Sequence, residues 1–525
     1  MARLTTLSKL LITILILLVI FFGFNYFVNG SLLPNLGGDG TEQAGSTDGS
    51  GGGGGLFGGG KKSNNDAIRV GVVTWGGYAG GQYFNEGFAA SAESRFKKEY
   101  GIDVEFVLND DVVSSLAAFK NGDIDVHWYT IDAFPTILSD LSAYNPVVLF
   151  QADWSRGGDA IVAQRGINNV AGLRGKTVAV AELTPSHSFL LWLLDAGGMT
   201  VNDIDIIPQA SAIDAAAAFK SGQVDAAVVW SPDDEQAVRA VSGARILEST
   251  RSASNIIADV FFAKREYVEQ NKDKLQKLYE GWMRGAAEIN ASEANKQKAA
   301  RILATGLAIP EGDALAAINN VRLVTHGDNV NFFGLNPSFK GVTGESLYQR
   351  MANEYSALKY IEGSVPAFRG VSYPQLVNAA SGNLSGPENA AEAGKEFAAV
   401  KESEAEAKEA IATKQVSINF ASGQSTLDEN AKRIIDRDFV EIARAFGNAR
   451  VRIEGNTDNT GGRATNVELS KRRAQAVAGY LVREYSMDPN RFIIVGNGPD
   501  NPVADNGSER GRAQNRRTDF ELVRE

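Results

Sequence analysis

The sequence contains no cysteine and only three histidines in 525 residues. The absence of cysteine excludes disulfides, thiolate metal sites, a cysteine nucleophile and a cysteine-linked lipid anchor. His127, His187 and His326 lack the spacing of a metal site, so we expect no metal and no cofactor. The formal net charge of -11 disfavours a nucleic-acid partner, because phosphate contacts need clustered Lys and Arg.

Catalytic motifs are missing as well. The chain has no G-x-S-x-G, no H-E-x-x-H and no Walker lysine loop preceded by a strand. We therefore expect a binding protein and not an enzyme. At about 100–200 residues per domain, the length predicts two to four domains. A hydrophobic content of 44% is ordinary for globular proteins and excludes a wholly disordered chain.

An apolar run at residues 10–27 follows Arg3 and Lys9. As a helix it would span about 27 Å, enough to cross a bilayer core. The positive flank predicts that this end stays cytoplasmic and that the rest is exported. A cleaved signal peptide is the alternative, but such peptides have a shorter apolar core and a small-residue cleavage site. Residues 25–30 are a poor cleavage site, so the prediction is an uncleaved signal-anchor.

Two stretches of biased composition divide the rest of the chain. Residues 31–66 are a Gly-rich linker, with 13 glycines between positions 37 and 60. Residues 381–413 form a spacer of Ala, Glu and Lys with few large apolar side chains, a composition that favours a semi-rigid solvated helix. Two globular parts remain, residues 67–380 and residues 414–525.

The first globular part alternates strand and helix patterns, which predicts parallel sheets covered by helices. It also contains an internal similarity, because residues 118–125 match residues 218–225. Each copy is a helix end, a glycine stop and then a buried strand. The repeated pattern predicts two similar α/β lobes that face each other across a cleft.

Ligands of open α/β sheets lie beyond the carboxyl ends of the strands. We therefore predict that loops after the strands line the cleft, with these candidate ligand-binding residues: Trp75, Tyr129, Thr130, Asp132, Ser186, His187, Ser188, Trp230 and Asp233. Several of these residues have a simpler alternative. The serines could cap a helix, the tryptophans could pack in a core, and Asp233 with Asp234 could stabilise a helix N-terminus. The acids favour a cationic or amine-bearing ligand, but many polar solutes remain compatible.

Residues 172–180, 186–188 and 222–229 carry a family resemblance. Over about 300 residues, this part resembles the bacterial periplasmic solute-binding proteins of the nitrate, sulfonate, taurine and thiamine-precursor type. The resemblance implies a two-lobed domain that closes on a small solute. It also implies an ABC permease as a candidate partner, and the sequence leaves open whether the protein serves transport.

The sequence pattern of the second globular part predicts strands at residues 415–420, 451–455 and 492–495, with a further strand at residues 520–523. Helical patterns cover residues 427–446 and 466–484. This order predicts a βαβαβ sandwich with helices on one face of the sheet.

Motifs at residues 455–461, 466–481 and 511–517 make this part similar to the OmpA-like peptidoglycan-binding family. The resemblance implies that Asp458 and Arg473 hold the diaminopimelate of the peptide stem, with Thr457 and Asn466 beside them. A carboxylate suits the ligand ammonium, and a guanidinium suits its carboxylate. Asn456 replaces the usual histidine. The alternatives are that Asp458 pairs with Arg473, and that Arg516 and Arg517 are a solvated basic end.

Together these features predict a single-pass inner-membrane protein with its bulk in the periplasm of a Gram-negative-type envelope. Its partners would be the inner membrane, a small solute and peptidoglycan. A ligand sensor or scaffold, and a structural tether from membrane to wall, are the alternatives. A flagellar-stator-like role is weakened because the membrane span carries no acidic residue.

Overall fold

The computed structural model describes residues 66–401, 408–418, 420–421 and 423–524. These residues belong to one compact unit, residues 63–525. The predicted signal-anchor and the glycines of the first linker lie outside the described residues. Within the described ranges, no helix combines the length and hydropathy that a membrane crossing requires.

The first globular part contains eleven described strands and fourteen α-helices. The strands are β1 (Ile68–Val72), β2 (Val104–Leu108), β3 (Val126–Thr130), β4 (Pro146–Ser155), β5 (Asp159–Ala163), β6 (Thr177–Ala181), β7 (Asp205–Gln209), β8 (Ala226–Trp230), β9 (Arg245–Ser249), β10 (Ala258–Lys264) and β11 (Val321–Leu323). The helices are α1 (Ala79–Phe84), α2 (Arg95–Tyr100), α3 (Val112–Asn121), α4 (Phe134–Ile137), α5 (Pro185–Ala196), α6 (Ala212–Lys220), α7 (Asp233–Ala240), α8 (Arg265–Gln270), α9 (Lys272–Ala291), α10 (Glu293–Leu307), α11 (Glu311–Asn319), α12 (His326–Phe332), α13 (Gly344–Ala357) and α14 (Gln375–Ala380).

These strands form two sheets. The first has the order β11-β4-β10-β3-β1-β2 and the second has the order β7-β6-β8-β5-β9. The expectation of parallel sheets is correct only for part of each sheet, because β10 pairs antiparallel with β3 and β4, and β5 pairs antiparallel with β8 and β9. Strand β11 also pairs antiparallel with β4. The chain passes to the second sheet between β4 and β5 and returns to the first between β9 and β10, so β5 and β10 are the first strands after each crossing.

The internal similarity corresponds to the same construction in both sheets. Helix α3 ends before Gly122 and α6 ends before Gly222, and both glycines have positive φ, 83° and 74°. The copies also repeat one contact. The Asp125 carboxylate accepts a hydrogen bond from the Arg69 N–H, 2.9 Å away, and that of Asp225 accepts one from the Thr177 N–H at 3.0 Å. Each repeated aspartate therefore ties the start of its strand to the parallel neighbouring strand, β1 or β6.

The carboxyl-terminal part is a four-stranded sheet with helices. Its elements are β12 (Ala410–Val416), α15 (Glu429–Ile435), α16 (Glu441–Ala445), β13 (Arg450–Asn456), α17 (Arg463–Tyr485), β14 (Phe492–Gly498), α18 (Glu509–Asn515) and β15 (Thr518–Val523). The strand order is β12-β15-β13-β14. The first strand lies five residues earlier than the sequence pattern predicts, because residues 410–416 pair with β15.

The predicted helical spacer is wrong for the residues described. Residues 390–401 contain no helix, and the predicted interval ends inside β12. The Thr325 hydroxyl donates to the Ala390 carbonyl, the Asp328 carboxylate accepts from the Glu392 N–H, and that of Asp488 accepts from the Phe397 N–H. These tertiary contacts override the helix propensity of the Ala/Glu-rich sequence.

The carboxyl-terminal part packs on the second sheet of the first part. Asp195 at the end of α5 accepts from Lys414 and from Arg350, both at 2.6 Å. The Asn255 N–H donates to the Ala445 carbonyl at 2.9 Å, and Arg524 donates to the Leu247 carbonyl. One continuous apolar core contains side chains from both parts. The two parts thus share a packed interface instead of being held only by a linker.

Candidate functional site

Polar side chains lie side by side on three neighbouring strands of the first sheet, near the segments that cross to the second sheet. Thr130 on β3 is the register partner of Asp259 on β10, and Asp259 is the register partner of Asp153 on β4. Residues directly opposite on antiparallel strands have side chains about 5 Å apart on the same face. The sheet therefore holds two aspartates and a threonine in one row.

Two aromatic side chains from the loop after β1 complete this wall. The Trp75 indole N–H donates to Asp153 Oδ2 at 3.1 Å, and the Tyr78 hydroxyl donates to Asp259 Oδ1 at 2.8 Å. The Trp75 ring contacts Gly158, where a Cβ would come within 2.1 Å of the ring. Gly158 lies in the crossing between β4 and β5, so the indole bridges the two lobes only because this position has no side chain.

The second sheet contributes Asp159 and Trp230, which are register partners on β5 and β8. The Ser155 hydroxyl donates to Asp159 Oδ2 at 2.7 Å. Together the walls enclose a cavity of about 30 Å³, lined by Val73, Thr74, Trp75, Tyr78, Trp128, Thr130, Asp159, Pro185, Trp230, Ile257 and Asp259. None of these described lining residues is basic.

Burial dominates the electrostatics of this site. It raises the pKa of Asp159 to about 7 and that of Asp132 to about 7. Burial also raises the pKa of Asp153 to about 8 and that of Asp259 well above its ordinary value, and each of the two is raised further by a neighbouring carboxylate. Removing a carboxylate from water disfavours its charged form, and a like charge nearby adds to the effect. The cluster therefore retains protons at neutral pH unless a cation offsets its charge.

The structure places three predicted residues at the start of α5. Ser186, His187 and Ser188 are fully buried there, and Thr184 precedes the helix without a side-chain cap, so neither serine is an N-cap. The Ser188 hydroxyl lies 2.9 Å from that of Tyr355, and His187 Nδ1 accepts from the Leu183 N–H at 3.2 Å. Burial lowers the pKa of His187 to about 4, so this ring is neutral at physiological pH.

The other predicted residues divide between cleft and support. Tyr129 is buried in the apolar core and does not line the cavity. Asp132 is fully buried, and neither of its carboxylate oxygens has a hydrogen-bond partner, although the Ser188 and Thr130 hydroxyls lie near enough to lower its pKa somewhat. Asp233 lies in the first turn of α7, 3.5 Å from the Lys220 ammonium, and outside the cavity. Its position matches the helix-stabilising alternative.

Sequence reasoning missed Asp153, Asp159 and Asp259. All three occur inside or at the start of apolar strands, as in Ala152-Asp153-Trp154 and Ala258-Asp259-Val260. An acid in a strand that is buried on both faces is costly unless it is paired. An acid inside an apolar strand is therefore a sequence signal for these three residues, and a prediction based on loops does not include it.

A second candidate site lies in the carboxyl-terminal sheet, between the end of β13 and α17. Helix α17 approaches β13 closely at Gly455, where a Cβ would lie 2.2 Å from the Ser470 carbonyl oxygen. This approach brings the loop that holds Thr457 and Asp458 beside the helix that holds Asn466 and Arg473. The Asn466 amide donates to the Thr460 carbonyl at 3.0 Å and so fixes the loop to the helix.

Asp458 is held by two donors. Its Oδ1 accepts from the Thr460 N–H at 2.9 Å, and its Oδ2 accepts from Arg516 at 2.7 Å. Burial raises the pKa of Asp458, but these hydrogen bonds outweigh burial and hold the pKa below its ordinary value. Asp458 is therefore a carboxylate over the physiological range. The Thr457 hydroxyl donates to the Asp458 carbonyl and shapes the same turn.

Arg473 does not form a direct ion pair with Asp458. Its Nε donates to the Gln424 carbonyl at 3.0 Å, and its guanidinium lies 4.9 Å from the centre of the Phe420 ring. Burial lowers the pKa of Arg473, repulsion from Arg516 lowers it further, and attraction to Asp458 raises it, so the three charges lie within electrostatic reach. The alternative of a simple Asp458–Arg473 pair is not what the structure shows.

Neither terminal arginine is a solvated basic end. Arg517 is buried and pairs with Asp519 at 2.9 Å. Arg516 is partly exposed and joins Asp458 to Glu509, at 2.7 and 2.9 Å. Asn456, in the place of the usual histidine, donates to Asp519 Oδ2 at 3.0 Å. No sequence pattern connects Arg516 with Asp458, which lies 58 positions earlier.

A larger cavity, of about 520 Å³, lies where the connecting segment meets both globular parts. Its arginines are already engaged: Arg156 pairs with Glu392 at 2.9 Å, and Arg491 donates to the carbonyls of Ala443, Phe446 and Ala449. Their role is to hold the connecting segment and the domain together, so the cleft remains the candidate solute site.

Two family models match separate regions of the chain. Residues 86–294 match the family described as NMT1/THI5 like, and residues 419–516 match the OmpA family. The chain therefore combines an NMT1/THI5-like region with a carboxyl-terminal OmpA domain.

Curated relatives match the carboxyl-terminal domain. Outer membrane protein A of Bordetella avium is 40% identical over 104 residues, which is 20% of this chain and 53% of that protein. The peptidoglycan-binding protein ArfA of Mycobacterium bovis is 45% identical over 103 residues, 20% of this chain and 31% of that protein. The chain thus spans about half or less of these relatives.

Solved structures match the first part. The periplasmic aliphatic sulphonate binding protein SsuA of Escherichia coli is 20% identical, with a TM-score of 0.47, and covers 60% of this chain and 100% of its own. The desulfurization enzyme DSZB is 16% identical, with a TM-score of 0.44, and covers 61% of this chain and 99% of its own.

Proposed function

We propose that this protein binds a small polar solute in the cleft of its first part and binds peptidoglycan through its OmpA domain, without catalysing a reaction. The observation that carries the proposal is the presence of two separate polar sites. One is an enclosed cleft between two sheets, and the other is the ionised Asp458 beside Arg473.

The wall-binding site suits a peptide-stem residue that carries both an ammonium and a carboxylate. Asp458 offers a carboxylate whose pKa is held low, and Arg473 offers guanidinium donors at the other side of the site. Charge-assisted hydrogen bonds of this kind are about twice as strong as neutral ones. Diaminopimelate has both groups on one carbon, so a single ligand end would engage both side chains. Asn466 and Thr457 fix the loop that presents Asp458.

We further propose that residues 10–27 anchor the chain in the inner membrane and that the rest lies in the periplasm of a Gram-negative-type envelope. That segment lies outside the described residues, and the proposal rests on its hydropathy and positive flank. An ABC permease is the proposed partner if the solute is transported.

Sedimentation with purified sacculi tests the wall-binding proposal. We expect the parent to co-sediment, and Asp458→Ala and Arg473→Ala to lose at least about tenfold in affinity, because each removes a charge-assisted hydrogen bond. Arg472→Ala is the matched control, since Arg472 is the neighbouring residue and pairs only with Glu468 among the contacts described. Parent-like sedimentation of both site variants would refute the site assignment.

A thermal-shift screen of the purified protein with a metabolite panel tests the solute proposal. A ligand that raises the first unfolding transition in a concentration-dependent manner is the expected result. A panel without any such ligand would favour the structural tether.

A further inference from the structure

The row of aspartates in the cleft is energetically unfavourable for the fold. Asp153 and Asp259 are direct register partners on neighbouring strands, an arrangement in which two like charges destabilise a sheet. Asp159 faces them from the other sheet and raises the pKa of both. No Lys, Arg or His lies among the described residues that line the cavity. The protein itself thus supplies no positive charge at the place where these acids converge.

Unpartnered polar groups at the same cavity give a second, independent observation. Trp128 is 4% exposed and lines the cavity, and its indole N–H has no hydrogen-bond partner. The Trp230 indole N–H and the Thr130 hydroxyl line the cavity and are also buried without a partner. Leaving a buried donor unsatisfied is costly, because its hydrogen bond to water is lost and not replaced. Donors beside acids require a ligand that carries both an acceptor and a positive charge.

The walls are suited to a cation for a further reason. Trp75, Tyr78, Trp128 and Trp230 all line the cavity. The faces of such rings attract ammonium groups through the ring quadrupole, most strongly where water is excluded. The cavity volume of about 30 Å³ leaves room for a water-sized group, which is the size of an ammonium head group. A whole solute would need the lobes to part further.

We propose that the solute is an amine-bearing molecule whose ammonium group lies between Asp159 and Asp259, with an acceptor group directed to the indole N–H groups of Trp128 and Trp230. This proposal rests on the proposed function of the cleft. It disfavours a bare anion, because none of the described lining residues offers an anion a positive charge.

Isothermal titration of the full-length protein tests the charge preference. One set of probes is ethanolamine, putrescine and glycine, and the opposing set is ethanesulfonate and nitrate, with ethylene glycol as a neutral probe. We expect at least one amine to bind and both anions to fail. Binding of an anion or of the neutral probe without binding of any amine would overturn the cationic assignment and leave solute binding intact. No binding by any probe, combined with a negative metabolite screen, would overturn both proposals.

Asp159→Asn identifies the site. Asn keeps an oxygen for the Ser155 hydroxyl and removes the charge, so we expect amine affinity to fall about ten- to hundredfold, the effect of one charged hydrogen bond. The same variant should unfold at the same or a higher temperature than the parent without ligand, because it removes a buried carboxylate. Asp233→Asn is the control, since Asp233 lies outside the cavity and should leave affinity unchanged. Parent-like amine affinity in Asp159→Asn would overturn the site.

Discussion

Replacement of Asp132 by Asn should change how the stability of the protein depends on pH. Asp132 is fully buried, and neither carboxylate oxygen has a hydrogen-bond partner. Burial raises its pKa to about 7 from the ordinary 3.8. The side chain is therefore protonated in the folded protein over a range in which it is ionised in the unfolded chain.

The direction of the effect follows from proton binding. Between about pH 4 and pH 7 the folded state holds a proton on Asp132 that the unfolded state has released. The free energy of unfolding consequently falls as the pH rises, by at most about 1.4 kcal/mol per pH unit for one proton. The full difference between the two pKa values corresponds to about 4 kcal/mol. An Asn at this position does not titrate, so its stability relative to the parent should rise with pH and level off above pH 7.

Two buried histidines act in the opposite sense and must be separated from this effect. Burial lowers the pKa values of His127 and His187 to about 4, so the folded protein loses stability as the pH falls below about 6.5. Both histidines are present in the parent and in Asp132→Asn, and their contribution cancels in the difference between the two proteins. The difference between variant and parent is therefore the quantity to measure.

Urea unfolding of both full-length proteins from pH 5 to pH 8, followed by tryptophan fluorescence, measures this difference. We expect Asp132→Asn to gain about 2 kcal/mol relative to the parent between pH 5 and pH 7. A difference that stays constant over this range would refute the protonated state of Asp132.

Three further predictions concern particular contacts. Gly158→Ala places a methyl group 2.1 Å from the Trp75 ring, so it should destabilise the protein by about 1–3 kcal/mol and shift tryptophan emission; an unchanged spectrum and midpoint would contradict this packing. Gly455→Ala, whose Cβ would lie 2.2 Å from the Ser470 carbonyl oxygen, should destabilise the protein by a similar free energy, lower the unfolding midpoint and weaken binding to sacculi. Gly461→Ala should change only the loop that contains residue 461. The His187 ring, with its pKa lowered to about 4, should remain neutral in NMR spectra down to about pH 5, and titration near pH 6.5 would show that the ring is not buried.

Local patterns were sufficient to predict much of this architecture. The repeated segment at residues 118–125 and 218–225 predicts one helix–strand unit in each sheet, because a glycine with positive φ ends each helix. The motif at residues 455–461 predicts a loop beside a helix for the same kind of reason, since its residues form hydrogen bonds within a few positions of one another. Features fixed by contacts close in the chain are readable from the sequence.

Features that depend on contacts between residues distant in the chain could not be predicted from the sequence. Asp153 and Asp259 meet because two strands more than one hundred residues apart are neighbours in the sheet. Arg516 reaches Asp458 across 58 positions. The prediction of a helical spacer is wrong for the same reason. Its Ala/Glu composition favours a helix, but Thr325, Asp328 and Asp488 bind its backbone in another conformation. Composition indicates the conformation that a segment prefers in isolation, and these tertiary partners determine its conformation in the fold.

The packing of the OmpA domain on the solute region connects the two proposed activities. A cleft of about 30 Å³ must open before a solute enters. Arg350 on α13 contacts Asp195 in the second lobe and Glu441 in the OmpA domain, at 2.6 and 2.5 Å. The connecting segment meanwhile joins Thr325 of the first lobe to Asp488 of the OmpA domain. Rotation of one lobe against the other would therefore alter contacts that these residues make with the carboxyl-terminal part.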